Sequence, residues 1–507
     1  MMLLKRTLPA FLLLLAVAGQ AQTRRPNIIF IFSDDHAFQA VSAYGGKLAQ
    51  TPNIDRIARE GAIFRNALVT NSICGPSRAT LLTGKYSHRN GYTLNEKRFD
   101  VTQLLFPRVL QQHRYQTAWI GKWHLGSLPE GFDYWRILPG QGHYYNPDFI
   151  EKGKDTARLP GYVTNVITDV SIDWLQHRDT SKPFMLVVGH KATHREWLPD
   201  LQDLGAYDNV NFPLPRSFKD DYKNRVAAQN QDMSIEKTMR LKEDLKVHAD
   251  YNRFVYNRFT PEEKAKFKAY YDKVSKEFDD KNLSGEALTE WKYQRYLKDY
   301  LSTARSLDRN IGRLLDYLDK SGLAANTVVV YASDQGFYLG EHGWFDKRFI
   351  YEESLRTPFV VRYPGVIKPG TKVNELMTNV DWAPTILDIA GAPVPGEMQG
   401  VSFMPLVKPG ANKSGWRKAA YYHYYEFPEP HHVSPHFGLR TERYTLVRFY
   451  GPADSWELYD LVKDPMQLRN IYGSKGTEKI TATLKEELRK QIESYKDDEA
   501  LKILDKG

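Results

Sequence analysis

The sequence predicts an α/β protein with a large, mixed but mostly parallel sheet sandwiched by helices, followed by a smaller region. Four continuous apolar runs predict the strands of the sheet, because strands buried on both faces lack polar alternation. The runs cover residues 27–32, 115–121, 184–189 and 327–332. Each run ends in polar residues, and ligands of open α/β sheets bind beyond the carboxyl ends of the strands. We therefore expect one site at that edge.

The composition limits the classes of function. The chain has 507 residues, a formal net charge of +9 and one cysteine. This length can bury a large core, and we expect two domains. One cysteine excludes an intramolecular disulfide and a zinc site with several cysteines. The basic charge and the many aromatic residues suit an anionic carbohydrate. They also suit nucleic acid, but no helix-turn-helix, zinc-finger or RNP pattern occurs, so we expect no nucleic-acid partner.

The first 21 residues have the pattern of a signal peptide. Lys5 and Arg6 precede an apolar run over residues 8–17, and small residues follow it. The run is short for a bilayer, and no later run is long and apolar enough, so we expect no membrane span. The sequence thus predicts an exported protein, periplasmic or secreted.

Residues 34–36 close the first run with the sequence Asp-Asp-His. Adjacent carboxylates repel each other unless a cation lies between them, and calcium takes several such oxygens. A solvated turn is the alternative for Asp34 and Asp35. Asp334 and Gln335 follow the fourth run in the same way.

Residues 71–84 hold the only cysteine and read Asn-Ser-Ile-Cys-Gly-Pro-Ser-Arg-Ala-Thr-Leu-Leu-Thr-Gly. Pro76 suits the first turn of a helix and Gly84 suits its end, so Cys74 is predicted just before a helix N-terminus. Backbone N–H groups there favour negative charge, and Arg78 adds a cation. A buried structural cysteine is the alternative.

The second and third runs end in basic and imidazole groups. Lys122 and His124 follow the second run, and two residues that far apart on an extended segment point the same way. His190 and His194 follow the third run, and either could be a structural histidine. Residues 200–300 are rich in Lys, Asp, Glu and Tyr, and we expect mostly helices there. The Pro- and Gly-rich segment 391–400 predicts a boundary between a domain of residues 22–395 and a domain of residues 396–507.

These stretches resemble the signature of the type I sulfatases, in the alkaline phosphatase superfamily. The resemblance also covers Gly-Lys-Trp-His-Leu-Gly at residues 121–126, Lys347 with Tyr351 and Glu352, and the pattern of residues 456–470. It implies a small C-terminal domain with an antiparallel sheet and a helix. Gln335 departs from the commonest form of the family, in which Asn or His follows the aspartate. Arg348 is the alternative to Lys347.

The resemblance implies a chemistry. In this family a maturation enzyme oxidises the cysteine to formylglycine, and the hydrated aldehyde attacks sulfur. It implies that His194 protonates the leaving sugar oxygen with help from Lys347, that His124 accepts a proton later, and that Lys122 holds the sulfate. The two histidines then start in opposite protonation states. It implies that one calcium ion is bound by Asp34, Asp35, Cys74, Asp334 and Gln335.

The substrate expectation depends on residues 333–344, which are similar to those of bacterial N-acetylglucosamine-6-O-sulfatases. We expect an exo-acting enzyme on N-acetylglucosamine 6-sulfate in heparan or mucin-type glycans. A histidine-rich segment, residues 423–440, is a candidate for binding the sugar or a solvated loop. Its candidate residues are His423, Glu426, His431, His432, His436 and Arg440. The alternatives are a sulfatase for another sugar, a phosphoesterase or phosphonate hydrolase on the same fold, and a glycan-binding protein without turnover.

Overall fold

The computed structural model describes residues 25–506, so the predicted signal peptide lies outside the described residues. The described strands are β1 Asn27–Ser33, β2 Ala62–Phe64, β3 Ala67–Leu68, β4 Gln116–Lys122, β5 Tyr134–Leu138, β6 Asp148–Glu151, β7 Ala157–Arg158, β8 Phe184–Gly189, β9 Thr327–Ser333, β10 Tyr338–Leu339, β11 Phe345–Asp346, β12 Phe359–Arg362, β13 Thr371–Val373, β14 Met377–Thr378, β15 Ala419–Tyr424, β16 His436–Thr441, β17 Tyr444–Phe449 and β18 Ser455–Asp460. The described α-helices are α1 Pro52–Glu60, α2 Cys74–Thr83, α3 Ser87–Asn90, α4 Phe106–Gln112, α5 Val163–His177, α6 Val226–Asn230, α7 Pro261–Lys281, α8 Gly285–Lys320, α9 Glu352–Leu355, α10 Trp382–Ile389, α11 Met404–Val407, α12 Glu478–Tyr495 and α13 Asp498–Lys506.

The large sheet has ten strands in the order β13-β2-β12-β9-β1-β8-β4-β5-β6-β7. The four apolar runs of the sequence are β1, β4, β8 and β9, and they lie side by side and parallel at its centre. β12 runs antiparallel to β9 and to β2. The predicted mixed, mostly parallel sheet is therefore confirmed. Because the central strands are parallel, their carboxyl ends meet at one edge.

Two apolar cores cover the two faces of this sheet. In β1, Ile28, Phe30 and Phe32 belong to one core, and Ile29 and Ile31 belong to the other. Successive side chains of a strand point to opposite faces, so a strand buried on both sides must be apolar throughout. Each such side chain contributes about 1.5–3 kcal/mol when it is fully buried. The site is thus built on a rigid support.

The prediction of mostly helical structure over residues 200–300 is correct for the second half and wrong for the first. The helices α7 and α8 occupy residues 261–320, and Thr260 with Glu263 forms a capping box at the start of α7. Residues 200–260 contain only α6 and short 3-10 turns within a long irregular segment. Pro213 and Pro215 lie in this segment, and proline removes a backbone donor that a helix needs.

The small sheet contains β15, β16, β17 and β18 in sequential antiparallel order. Helix α12 packs on it through Leu484, Leu488 and Ile492, which share an apolar core with Leu446 and Leu458. The expected small antiparallel sheet with a helix is therefore confirmed. The domain boundary at residues 395 and 396 stays a prediction. Between residues 25 and 506, no helix has the length and apolarity needed to cross a bilayer.

Candidate active site

Three buried carboxylates meet where β1 and β9 end. The two strands are in register, with Ser33 opposite Ser333, so the residues that follow them are neighbours. One oxygen from each of Asp34, Asp35 and Asp334 lies within 4.8 Å of the others. The backbone N–H of Asp35 also donates to Asp334 Oδ1 at 3.1 Å. The sheet register therefore creates this cluster.

The donor atoms of this cluster suit a hard cation. Asp34 Oδ1 and Gln335 Oε1 are buried, and each lacks a hydrogen-bond partner among residues 25–506. Burial raises the pKa of Asp35 and of Asp334, and the Asp34 carboxylate raises both further. A cation would stabilise the ionised carboxylates, since opposite charge favours the charged form. Calcium prefers such oxygen ligands.

Cys74 is the first residue of α2, one position later in the helix than predicted. Its Sγ lies within 4.8 Å of ligand atoms of Asp34 and His194 and 3.7 Å from Gln335 Nε2. Burial and the Asp34 charge raise the pKa of the Cys74 thiol well above its usual value. The thiolate is the reactive form of cysteine, so this environment disfavours attack by the thiol itself.

Gly75 allows the start of α2 to approach its neighbours closely. A Cβ atom at this position would lie 2.6 Å from Tyr92 Cε1 and 2.7 Å from Asn95 Oδ1. The N–H of Gly75 donates to that same Asn95 oxygen at 2.9 Å. A larger residue at position 75 would therefore displace the helix start that carries Cys74.

Arg78 lies fully buried one turn further along α2. Its Nη2 is 2.8 Å from Asp334 Oδ2, and its Nη1 donates to the carbonyl oxygen of Lys122 at 3.1 Å. Its guanidinium group also lies over the Phe32 ring, 4.8 Å from the centroid. Arg78 is thus fixed by contacts from three strands and keeps a positive charge beside the carboxylates.

Two lysines complete the charge balance. Lys122 Nζ donates to Asp34 and, at 2.5 Å, to Gln141 Oε1. Lys347 Nζ lies 2.8 Å from Asp35. Although burial alone raises it, the charges of Lys122 and Arg78 hold the pKa of Asp34 well below its usual value. Asp34 is therefore ionised at neutral pH.

The two predicted catalytic histidines reach the cluster differently. His194 Nδ1 lies 2.5 Å from the carbonyl oxygen of Arg195, which leaves Nε2 for the group formed with Asp34 and Cys74. His124 has a left-handed backbone with φ of 56°, and its buried Nδ1 lacks a described partner. Burial and then the Lys122 charge lower the pKa of both. Both imidazoles are therefore neutral in the free site, and the opposite protonation states expected for the reaction stay a prediction.

The structure brings two residues of the histidine-rich segment to the vicinity of Lys347. His431 Nε2 lies 3.4 Å from Asp346 Oδ2, and Glu426 pairs with Arg348. These partners flank Lys347 on both sides in the chain. His431 and Glu426 therefore support the segment that carries this lysine.

The other candidates of that segment are engaged elsewhere or exposed. His436 uses both ring nitrogens on backbone groups: Nε2 accepts from Ile350 N at 3.1 Å and Nδ1 lies 2.9 Å from the Ser434 carbonyl. Arg440 pairs with Glu352 at 3.0 Å, and His423 lies 2.7 Å from Asp497. His432 is half exposed. None of the described contacts of these four side chains involves a residue of the carboxylate cluster.

Sequence reasoning missed Gln141, which contacts Lys122 directly. Gln141 follows β5, a strand parallel to β4, in the sequence Pro-Gly-Gln-Gly. The rule that polar residues at the carboxyl ends of parallel strands line the site would have found it. Asp346 carried no comparable signal, and Arg348 was considered only as the alternative to Lys347.

Two family models match the chain. The model described as Sulfatase matches residues 26–392, well over half of the chain. The model described as N-sulphoglucosamine sulphohydrolase, C-terminal, matches residues 340–494. The first match spans all the strand ends that form the cluster.

Similar proteins cover nearly the full length. The chain is 49% identical over 503 residues to the N-acetylglucosamine-6-O-sulfatase of Bacteroides thetaiotaomicron, covering 96% of this chain and 90% of that protein. It is 29% identical to the N-acetylglucosamine-6-sulfatase of Homo sapiens, covering 81% of this chain and 70% of that protein. A protein solved in complex with its substrate D-glucosamine-2-N,6-O-disulfate matches with a TM-score of 0.91 at 48% identity, covering 94% of this chain and 99% of that one.

Proposed function

This chain belongs to the sulfatase family, which hydrolyses sulfuric esters, and we propose that it removes the 6-O-sulfate from N-acetylglucosamine at the non-reducing end of heparan or mucin-type glycans. The observation that carries the proposal is the near full-length match to a protein solved with a 6-O-sulfated glucosamine. The cluster of cations and acidic residues at the strand ends is the chemistry that a sulfate ester needs.

A calcium ion and a formylglycine residue complete the site in this proposal. Calcium would be held by Asp34, Asp35, Asp334, Gln335 and residue 74, where it would withdraw charge from a sulfate oxygen. Formylglycine, made from Cys74 by a maturation enzyme, would supply the nucleophilic hydroxyl. The unmodified thiol would be a poor nucleophile here, because burial and the Asp34 charge raise its pKa well above the usual value.

The residues of the chain itself bind and orient the sulfate. Arg78, Lys122 and Lys347 are buried cations beside residue 74, and in a water-poor site such charges stabilise a developing anion strongly. Each is already fixed by an acidic partner, so little reorganisation is needed when the substrate binds.

The proton transfers are assigned to the two histidines. A bound sulfate ester brings negative charge next to His194, and a nearby negative charge raises the pKa of an imidazole. His194 Nε2 then holds the proton that the leaving sugar oxygen receives, since Nδ1 is engaged by the Arg195 carbonyl. His124 stays neutral beside Lys122 and serves as the proton acceptor in the second half of the cycle.

Release of sulfate from a panel of sulfated monosaccharides tests the proposal. We expect the fastest turnover with N-acetylglucosamine 6-sulfate, and the Cys74 peptide should carry the mass of an aldehyde in protein from a host with the maturation enzyme. Faster release from 2-O- or 3-O-sulfated sugars would contradict the sugar assignment. Faster turnover of an aryl phosphate than of the aryl sulfate would favour a phosphoesterase.

The localisation follows from the same proposal. The predicted signal peptide of residues 1–21 would direct the chain out of the cytoplasm, where sulfated glycans are available. Detecting the activity in a periplasmic or secreted fraction, with cleavage near residue 21, would support this assignment.

A further inference from the structure

Lys191 differs from every other buried lysine of the described chain. Residues 25–506 contain six buried lysines, and Lys191 is 3% exposed. Lys122, Lys246 and Lys347 pair with aspartates, Lys85 pairs with a glutamate and Lys292 donates to backbone carbonyls. The Lys191 ammonium forms no hydrogen bond or ion pair with any described residue, and the Glu196 carboxylate, which raises its pKa, lies beyond ion-pair distance. A buried charge is normally paired, because an uncompensated one is costly.

The position of Lys191 relates it to the active site. Its Nζ lies over the Tyr144 ring, 4.8 Å from the centroid. The hydroxyl of Tyr144 donates to the carbonyl oxygen of His194 at 2.5 Å. The Lys191 charge lowers the pKa of His194 and also that of His143 on the other side. Burial lowers the pKa of Lys191 itself to about 8, so the ammonium stays largely protonated at neutral pH. Lys191 is thus a cation between His194, the proposed general acid, and His143.

A cavity with polar groups and an aromatic wall includes His143, the residue before the Tyr144 ring on which Lys191 lies. It has a volume of about 270 Å³, and Gln141, His143, Asp148, Phe254 and Arg258 line it. Gln141 connects it to the active site through its hydrogen bond from Lys122. Phe254 is 68% exposed and packs on His143 with ring centroids 4.5 Å apart. An exposed aromatic ring beside hydrogen-bonding groups suits the apolar face of a sugar.

We propose that Lys191 and this cavity form a subsite for a second negatively charged group of the glycan, a group separate from the sulfate ester that is hydrolysed. This inference rests on the proposed function and adds a substrate class to it: dianionic glycan ends are preferred over monoanionic ones. Arg258 is already paired with Asp148, and Lys122 and Lys347 are paired within the catalytic cluster. The unpaired ammonium of Lys191 is therefore the group that a second anion would neutralise.

The second anion can come from two places on a glycan, namely a sulfamate on the same sugar or a carboxylate on the next sugar. The test measures kcat/KM for three substrates: N-acetylglucosamine 6-sulfate, glucosamine-2-N,6-O-disulfate, and a disaccharide of N-acetylglucosamine 6-sulfate linked to a uronic acid. The wild type is compared with Lys191→Met and Phe254→Ala, and Val462→Ala is the control for losing an exposed apolar side chain outside the cleft.

We expect Lys191→Met to lower the ratio of dianionic to monoanionic kcat/KM by about tenfold or more, as expected for a charge-assisted contact. A fall for the disulfate assigns the anion to the sulfamate. A fall confined to the disaccharide, together with a raised KM in Phe254→Ala, assigns it to the carboxylate. Equal losses of Lys191→Met on all three substrates, or an unchanged ratio with unchanged KM in Phe254→Ala, would overturn the subsite. Failure of the wild type on all three 6-sulfates would instead refute the proposed function.

Discussion

The carboxylate cluster at the ends of β1 and β9 and the histidine-rich segment of the small sheet both contain buried polar side chains, but the partners of these side chains differ. At or near the cluster, Asp34 Oδ1, Gln335 Oε1 and His124 Nδ1 have no hydrogen-bond partner among the described residues. In the segment, both ring nitrogens of His436 are engaged by backbone groups. Arg440 uses Nε and Nη2 on Glu352 and Asn66, and only its Nη1 has no hydrogen-bond partner among the described residues. Unpartnered oxygens that lie together with three buried carboxylates suit a bound cation, whereas the engaged side chains of the segment stabilise the fold.

The largest expected effect comes from replacing Cys74, which lies beside the carboxylate cluster. Cys74→Ala should lower kcat by at least about 10³-fold, because it removes the proposed source of the nucleophile. Its thermal midpoint should stay close to that of the wild type, since only a small buried side chain is shortened. Sulfate release and a melting curve check both parts. A variant that retains wild-type rates would show that residue 74 is not the nucleophile.

Removing the bound cation tests whether Asp34 Oδ1 and Gln335 Oε1 are metal ligands. Chelation should abolish activity and lower the thermal midpoint, because a ligand that binds only the folded state stabilises it by about 2.7 kcal/mol at 100 times its Kd. Calcium, and not zinc, should restore both. Asp34→Asn is the matched variant, and its melting curve should respond little to the chelator. Tightly bound zinc together with phosphatase activity would support the phosphoesterase alternative.

Replacing the histidines after β8 compares a residue in the cluster with a neighbour outside it. His194→Ala should lower kcat/KM for the sugar sulfate by about 10²–10⁴-fold. The loss should be smaller for an aryl sulfate, whose leaving group needs less protonation. His190→Gln is the control, because His190 is buried in the same segment but is not part of the group formed with Asp34 and Cys74. If His194→Ala lowered kcat/KM equally for both substrates, His194 would not be the general acid.

The smallest effect on catalysis is expected in the small sheet. Arg440→Leu should lower the free energy of unfolding by up to about 3 kcal/mol, because it leaves the buried Glu352 with only the longer ion pair to Arg356 at 3.8 Å. Its kcat/KM at a temperature where it is folded should stay within about threefold of the wild type. His431→Ala should lower kcat/KM more, through the support of Asp346 beside Lys347. If Arg440→Leu selectively lost activity on the sugar sulfate and kept its stability, Arg440 would again be a candidate for binding the sugar.

The sequence predicted the central sheet well because burial on both faces requires apolar runs, and such runs are local. The same logic brought Asp34, Asp35, Asp334 and Gln335 together, since parallel strands end at one edge. Local sequence patterns could not show that His436 and Arg440 have structural partners rather than a role in binding the sugar. Their partners, Ile350 N and Glu352, lie 86 and 88 residues away in the chain. Nor did it identify the irregular course of residues 200–260 or the left-handed backbone of His124.

The position of Lys347 has a consequence for protein engineering. Its ammonium pairs with Asp35, which follows β1 of the large sheet, while the residues on either side of it contact His431 and Glu426 in the loop between β15 and β16. A chimera that exchanges the C-terminal region between two members of the family therefore changes the support of a group inside the active site. The functional unit of exchange is the small sheet together with residues 345–352, and a crossover placed after residue 395 separates the two.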